Sequence, residues 1–324
     1  LSHKELFNWC KKVGQKYKFD KKKLTQKSVF KNKFYLRKFA ENKKPLRFSK
    51  FYKKKNFDMI INCKIESLDE LGKFGLIFFN AFNRINSIKS KKIIICAGGI
   101  ESTLMILKSL NEKKLKNLRN KKFVGRYFMD HPKCYVGEIK YPKIDLIKDI
   151  IFKFNKKFNS YYGISLYDKY NRLLNTYVRF EEKRFFFKLK KKIMIRIFLE
   201  MEPRYQNKIH IQNKIKKINI SLSKKDLETS RRLLKKVTNF FSFKPQSEKL
   251  FLNKKKLVDA SHHMGGMSFP KVVDKNLKIK GVKNIFCCSS AIFPSSGSVN
   301  PTFIICALAE RLSSYLKKTN LDKI

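Results

Sequence analysis

Two adjacent histidines and an asparagine near the C-terminal end of the chain could act together on a hydroxyl group. His262 and His263 stand directly before Met264-Gly265-Gly266, and Asn300-Pro301 follows later. A histidine has an unperturbed pKa of roughly 6.5, so it can take a proton from an alcohol near neutral pH. Oxidation of an alcohol to a carbonyl joins that proton removal to the transfer of a hydride from the adjacent carbon. A surface histidine pair and a capped core helix would give the same local patterns.

Local signals predict the elements that surround these residues. Asn300 as N-cap with Pro301 in the first turn predicts a helix over residues 302–316, whose N-terminal end carries partial positive charge. The apolar residues 93–97, then Gly98-Gly99 and periodic apolar positions, predict a buried strand, a tight glycine turn and a helix. Free N–H groups at such a helix start can face a phosphate, although a plain strand-to-helix turn has the same pattern.

The rest of the chain predicts a second structural unit. Alternating strand patterns and a helix over residues 223–243 predict a sheet with helices packed on one side, typical of a substrate-binding domain. A hairpin-like excursion is predicted before the glycine turn, and the first 55 residues are very basic and helical in patches. The predicted strands are residues 57–65, 76–79, 85–88, 161–166, 175–180 and 194–201.

The chain is strongly basic, with 76 Lys and Arg against 25 Asp and Glu and a net charge of +51. Such a charge can favour nucleic acid or an anionic membrane through counterion release. The lysines are scattered through every segment, and no basic helix, stacking-aromatic motif or zinc-finger spacing accompanies them. We therefore expect a solvated basic surface without a specific nucleic-acid partner, and a nucleic-acid-binding protein is the less favoured alternative.

Cysteine spacing and hydropathy limit the cofactors and the compartment. The seven cysteines form no CxxC pair and no metal-ligand spacing with the five histidines, so no metal site is predicted. No run of eighteen uncharged apolar residues and no leader pattern occurs, so we expect no transmembrane segment and a cytoplasmic location. The chain starts at Leu1, which we interpret as a truncated reading frame.

The order of the C-terminal motifs resembles the glucose-methanol-choline (GMC) family of FAD-dependent oxidoreductases. His263 stands in the place of the family histidine, and the segments that follow it match up to Asn300-Pro301. Met267 and Ser289 replace a Thr and an Asp that are usual in the family. The matching segments between the histidine and the asparagine are residues 272–274, 277–282 and 289–294.

Three earlier segments resemble the same family in the same order. Residues 94–102 resemble Val-Leu-Ala-Ala-Gly-Ala/Gly-Ile-Glu-Ser, and residues 124–132 resemble Val-Gly-Arg-Asn-Leu-Met-Asp-His-Pro. Residues 200–209 resemble a Glu-Gln-x-Pro and Asn/Ser-Arg-Ile segment of the substrate domain. The resemblance covers about residues 45–318, and the Gly-x-Gly-x-x-Gly fingerprint of the family has no counterpart in this sequence.

The resemblance implies a set of site residues. His263 is expected to be the active-site base, and Asn300 its partner, which places the substrate hydroxyl. His262 is the alternative base, because the paired histidines leave the register open. His131 is expected to be a structural turn residue. The contacts with FAD are expected from Ile65, Ala97, Gly98, Ser289, Pro301 and Thr302.

The resemblance also implies a fold class and a reaction. We expect α/β plus α+β, with a partial FAD-binding Rossmann-like domain (residues 56–125 and 257–324). A substrate-binding domain (126–256) with an antiparallel sheet and helices on one side would interrupt it, after a basic N-terminal segment (1–55). The expected reaction oxidises an alcohol or sugar hydroxyl to a carbonyl, with hydride passing to flavin N5 and electrons to an unidentified acceptor. Activity is expected only together with a preceding part of the protein; the alternative is an inactive remnant or a split half.

Overall fold

The chain folds into helices and several small sheets around one large antiparallel sheet. The computed structural model describes residues 2–17, 27–29, 34–42, 57–139, 158–165, 177–183, 192–241, 258–297 and 299–321. The helices are α1 His3–Lys16, α2 Gly98–Asn111, α3 Lys224–Phe241 and α4 Thr302–Leu321. The first strands are β1 Lys27–Val29, β2 Phe34–Asn42, β3 Cys63–Leu71, β4 Phe74–Ala81, β5 Arg84–Ser90 and β6 Ile93–Ile95. The later strands are β7 Lys133–Ile139, β8 Phe158–Ser165, β9 Tyr177–Lys183, β10 Lys192–Phe198, β11 Lys208–Gln212, β12 Ile215–Asn219 and β13 Ile285–Cys287.

The large sheet has six strands in the order β1-β2-β8-β9-β10-β7, and every neighbouring pair is antiparallel. Strands were predicted at residues 161–166, 175–180 and 194–201, where β8, β9 and β10 lie. Residues 166 and 175–176 are outside the described residues. The last predicted strand extends too far, because β10 ends at Phe198 and the next three residues are buried without strand pairing.

Strands β3, β4 and β5 form a three-stranded antiparallel meander, which is the predicted excursion. The predicted first strand begins too early, since β3 begins only at Cys63. Asn62 has a φ of +54°, a left-handed conformation that interrupts an extended chain.

The strand, glycine turn and helix predicted after the meander are present as β6 and α2. Strand β6 pairs in parallel with β13, with Ile93 opposite Ile285. Both strands belong to the main apolar core, which also contains Ile106 of α2 and Leu308 and Leu312 of α4. Helix α4 begins at the predicted residue and runs five residues beyond the predicted end. The added turn is basic at Lys317 and Lys318, and cations are favourable near a helix C-terminus.

Helix α3 confirms the amphipathic pattern of residues 223–243 as far as Phe241, after which the residues are outside those described. Its buried face includes Leu233, Leu234, Val237 and Phe241. The described chain is therefore a mixed helix and sheet fold with antiparallel sheets, as the sequence predicts. No described helix has a long enough apolar stretch to cross a bilayer.

The three-part domain division stays a prediction. Residues 1–55 contribute elements to two different places, because α1 packs against α4 while β2 pairs with β8 of the large sheet. The contact between α1 and α4 buries Cys10, Val13 and Ala307 together.

Candidate active site around the histidine pair

The histidine pair is held against a segment that lies far away in sequence. Met129 and Met264 exchange two backbone hydrogen bonds, with N–O distances of 2.8 and 2.9 Å. The buried Asp130 carboxylate accepts the N–H groups of Ala260 and His262, each at 2.9 Å. This short antiparallel bridge places both histidines beside residues 128–131.

Gly265 makes this close approach possible. It has a φ of +82°, and a Cβ at this position would lie 2.0 Å from the Tyr127 carbonyl oxygen. A side chain is therefore excluded on steric grounds.

His262 faces another histidine. Its Nδ1 lies 3.0 Å from Nδ1 of His131, and the two rings are almost perpendicular. Burial, together with the nearby His131 and Lys133, lowers the pKa of His262 to about 4. His262 is therefore neutral at pH 7.

The surroundings of His131 determine which nitrogen of His262 carries the proton. His131 Nε2 lies 3.1 Å from the Ser296 carbonyl oxygen and 2.8 Å from that of Gly297. A carbonyl oxygen only accepts, so His131 Nε2 is the protonated nitrogen and donates. Burial lowers the pKa of His131, so the ring is neutral and its Nδ1 accepts a hydrogen bond. His262 Nδ1 must then donate, which leaves a lone pair on His262 Nε2.

His263 faces a carboxylate instead. Its Nε2 lies 3.1 Å from Oδ2 of Asp259, and its side chain is 28% exposed. The ring stacks on the buried Phe128 ring at a centroid distance of 5.8 Å. Burial raises the pKa of Asp259, but hydrogen bonds from the Ser261 N–H and from His263 bring it below its ordinary value. An ionised carboxylate only accepts, so His263 Nε2 carries the proton and donates the hydrogen bond to Asp259. Nδ1 of a neutral His263 then carries a lone pair.

The backbone of His263 is fixed from two sides. Its carbonyl oxygen accepts a hydrogen bond of 2.6 Å from the Ser290 hydroxyl. A Cβ on Gly99 of α2 would lie 2.3 Å from the same oxygen, so α2 packs directly on this backbone. The start of α2, the histidine pair and the turn at Ser290 therefore form one cluster.

Asp130, Asp259 and His263 offer ligand atoms within 4.8 Å of one another. Each carboxylate oxygen already has a partner within the protein. Asp130 accepts two backbone N–H groups, and Asp259 accepts from the Ser261 N–H and faces His263. The three residues therefore lie close together because they belong to a hydrogen-bond network, and this network orients the two histidines.

Part of the sequence and the fold are similar to those of known proteins. A family model described as GMC oxidoreductase matches residues 203–309, which include the histidine pair and Asn300. The fold is similar to that of pyridoxine 4-oxidase from Mesorbium loti, with a TM-score of 0.53 and 14% identity. That match covers 78% of this chain and 57% of the solved one. Residues 203–309 are therefore similar in sequence to GMC oxidoreductases.

Two curated relatives match shorter parts of this chain. Neither inactivation nor afterpotential protein G from Drosophila melanogaster is 32% identical over 85 residues, 26% of this chain and 15% of the relative. Dehydrogenase str4 from Strobilurus tenacellus is 36% identical over 58 residues, 18% of this chain and 9% of the relative. The matches therefore span only a small part of each relative.

The GMC resemblance predicts cofactor contacts at the start of α2, and this helix end is open. Ala97 is the N-cap residue and makes no side-chain capping hydrogen bond. Ala97 and Gly98 are exposed, and nothing lies within 4 Å of a Cβ built on Gly98, which has a φ of +73°. The helix start can therefore be approached closely by a bound group.

The other predicted site residues lie in different surroundings. Ile65 is half-buried on β3 and packs against the main core. Ser289 is buried, and its hydroxyl oxygen accepts the Ala291 N–H at 3.2 Å, so it stabilises the turn there. Pro301 is buried, whereas Asn300 and Thr302 are exposed. Among the described residues, no hydrogen bond joins Asn300 to either histidine. The carbonyl oxygens of Ser296 and Gly297 contact His131, and His131 contacts His262.

Sequence reasoning missed several residues of this cluster. Asp130 and Asp259 were not singled out, and His131 was expected to have a turn role alone. The segment at residues 124–132 was recognised as a motif, and its Asp-His pair was the available signal. Nothing local indicated that this pair would meet the histidines.

Proposed function

We propose that this chain supplies the substrate side of an FAD-dependent oxidoreductase that converts an alcohol or sugar hydroxyl to a carbonyl. The single observation that carries the proposal is the cluster of His262, His263 and the open start of α2. The parallel pair β6–β13 with α2 after β6 supports a partial Rossmann-like FAD domain formed by residues 56–125 and 257–324. Residues 126–256 would form the substrate domain.

The residues at the start of α2 fit the cofactor. The exposed Ala97 and Gly98 leave first-turn N–H groups without a side-chain cap, and a helix N-terminus favours negative charge. Pro301 and Thr302 would offer backbone at the start of α4, while Ile65 and Ser289 would contribute packing rather than hydrogen bonds. Bound FAD would supply the acceptor for the hydride.

His263 is proposed as the group that takes the hydroxyl proton. Asp259 holds Nε2 and stabilises the cationic ring that forms, and Nδ1 is then the accepting nitrogen. The exposed Asn300 would donate from its side-chain amide to the substrate oxygen and keep it in place.

His262 is the second candidate, and its tautomer is the specific observation in its favour. Its Nε2 carries a lone pair and has no hydrogen-bond partner among the described residues. Its lowered pKa makes it a weaker base than a histidine that titrates near the working pH.

The test compares the chain alone with the chain joined to its upstream coding segment. Both proteins are purified, their visible spectra are recorded, and alcohols and sugars are added without oxygen. We expect the longer form to be yellow and its flavin absorbance, near 450 nm, to bleach with at least one alcohol. The amount of flavin that is reduced should be about equal to the amount of flavin present. Two colourless proteins would overturn the proposal.

The same preparations separate the alternatives. A yellow protein that no alcohol or sugar bleaches would support an inactive remnant, and activity only after mixing two separate chains would support a split enzyme. Binding to nucleic acid that weakens steeply with salt, in a colourless protein, would support the basic binding protein.

A further inference from the structure

A cavity of about 310 Å³ opens beside His263, between the hairpin β11–β12, α3 and the bridge that holds the histidine pair. This volume lies at the lower end of the range of small-molecule sites, which is about 300–1,000 Å³. Eight of its twelve lining residues are apolar. The ones used below are Met201, Ile218, Ile220, Leu222, Leu227 and Val258.

The mouth of the cavity is apolar as well. Ile218 and Ile220 are each 44% exposed, and Val258 is 57% exposed. Exposed apolar side chains grouped around a concave site are typical of a surface that a ligand covers.

Each polar side chain named here already has a hydrogen-bond partner within the protein. Both oxygens of Asp130 accept backbone N–H groups. The Ser221 hydroxyl donates to Asn207 Oδ1 and accepts from Arg204. Asp259 is engaged by the Ser261 N–H and His263. Nδ1 of His263 is the nitrogen left without a partner among the described lining residues.

Such a cavity discriminates strongly between classes of alcohol. A sugar that entered it would bury several hydroxyls without partners, at about 1–3 kcal/mol each. A molecule with one hydroxyl and an apolar body would satisfy its hydroxyl at His263 and remove apolar surface from water, which contributes about 25 cal/mol per Å².

We propose that this cavity binds a compact, apolar alcohol with a single hydroxyl directed at His263, and that it excludes sugars. This inference rests on the proposed function and names its substrate class. Straight-chain alkyl alcohols and benzyl alcohol are the simplest members of the class.

The experiment is a methyl NMR titration of the full chain, labelled at Ile, Leu, Val and Met methyl groups. Butanol, pentanol, hexanol, benzyl alcohol and glucose are added separately. We expect saturable shifts at Ile218, Ile220 and Met201, with affinity rising about fourfold for each added methylene. Glucose is expected to leave these methyl groups unchanged at the same concentrations. Equal or larger shifts with glucose, or no saturable shift with any alcohol, would overturn the inference.

Two matched variants locate the binding. Ile220→Asp places a charge in the apolar mouth and is expected to weaken hexanol binding at least tenfold. Ile215→Asp is the control, because Ile215 belongs to the same hairpin, is 59% exposed and does not line the cavity. Equal affinities in the two variants, both with the wild-type unfolding midpoint, would contradict the assignment.

The outcome also separates this inference from the proposed function. Binding of hexanol by a protein that stays colourless in its longer form would keep the cavity and overturn the oxidoreductase. Bleaching by sugars alone would keep the oxidoreductase and overturn the cavity as its substrate site.

Discussion

His262 and His263 are neighbours in sequence, yet their surroundings are opposite in kind. His262 faces the neutral ring of His131, which in turn donates to the carbonyl oxygens of Ser296 and Gly297. His263 faces the carboxylate of Asp259 and lines an apolar cavity. Burial and the neighbouring His131 disfavour the charged form of His262 and lower its pKa, whereas the ring of His263 has a carboxylate as its hydrogen-bond partner. The difference teaches that the surroundings of each ring depend on the tertiary partner that it meets, because the local sequence is almost the same for both.

Replacement of each ring in turn would test the comparison most directly. His263→Ala is expected to slow flavin bleaching by an apolar alcohol by about 10²–10⁴, because a positioned base contributes that much to a proton transfer. His262→Ala is expected to slow it less. Anaerobic stopped-flow bleaching of the flavin-loaded protein measures both rates. The reverse order would assign the base to His262.

Asp259→Asn sharpens the comparison, because only His263 of the two rings has a hydrogen bond with this carboxylate. The hydrogen bond to a charged group contributes about 1.5–3 kcal/mol, so we expect bleaching to slow by roughly tenfold to a hundredfold. Unfolding should barely change, since the Asp259 side chain is 57% exposed. Bleaching at the wild-type rate would show that His263 acts without its carboxylate.

The glycine pair at the start of α2 tests how the backbone of His263 is held. Gly99→Ala is expected to destabilise the fold by about 1–3 kcal/mol, because its Cβ would overlap the His263 carbonyl oxygen. It should also shift the ring protons of His263, which lie over Phe128. Gly98→Ala is the matched control, since it has open space and bears only the strain of a positive φ. Thermal unfolding and proton NMR measure the two effects, and a His263 shift in Gly98→Ala alone would contradict the packing described.

A pH dependence of the free energy of unfolding is expected from His262. Its pKa is about 4 in the folded protein and 6.5 by default, so between these values the unfolded chain binds more protons. The stability that His262 contributes is complete above pH 6.5 and decreases as the pH falls towards 4. In His262→Phe this part of the slope should disappear. Urea unfolding from pH 4 to 7 gives both curves, and their difference isolates His262 because His131 and Asp259 titrate in both. A constant difference would contradict the burial of His262.

The elements of this chain were predictable where the signal is local. The apolar strand before Gly98-Gly99 and the Asn-Pro helix start depend on periodicity and capping within a few residues, and both are present. The residue at which β3 begins was not predictable, because the left-handed conformation of Asn62 does not change the hydrophobic periodicity of the sequence. The contact of His131 with His262 was also unpredictable, because it joins positions 131 residues apart. Nor could the sequence alone show that His263 borders an apolar cavity, since its walls come from β12, α3 and four loops.

The bridge between Met129 and Met264 has a consequence for how the protein forms. Most strands of the six-stranded sheet lie in the chain that this bridge closes, so a large loop entropy opposes the bridge until that sheet has ordered. During synthesis, residues 128–131 emerge long before the histidines they orient. The histidine pair therefore takes its final geometry late in folding. A nascent chain that stops before residue 262 contains every strand of the sheet but neither histidine.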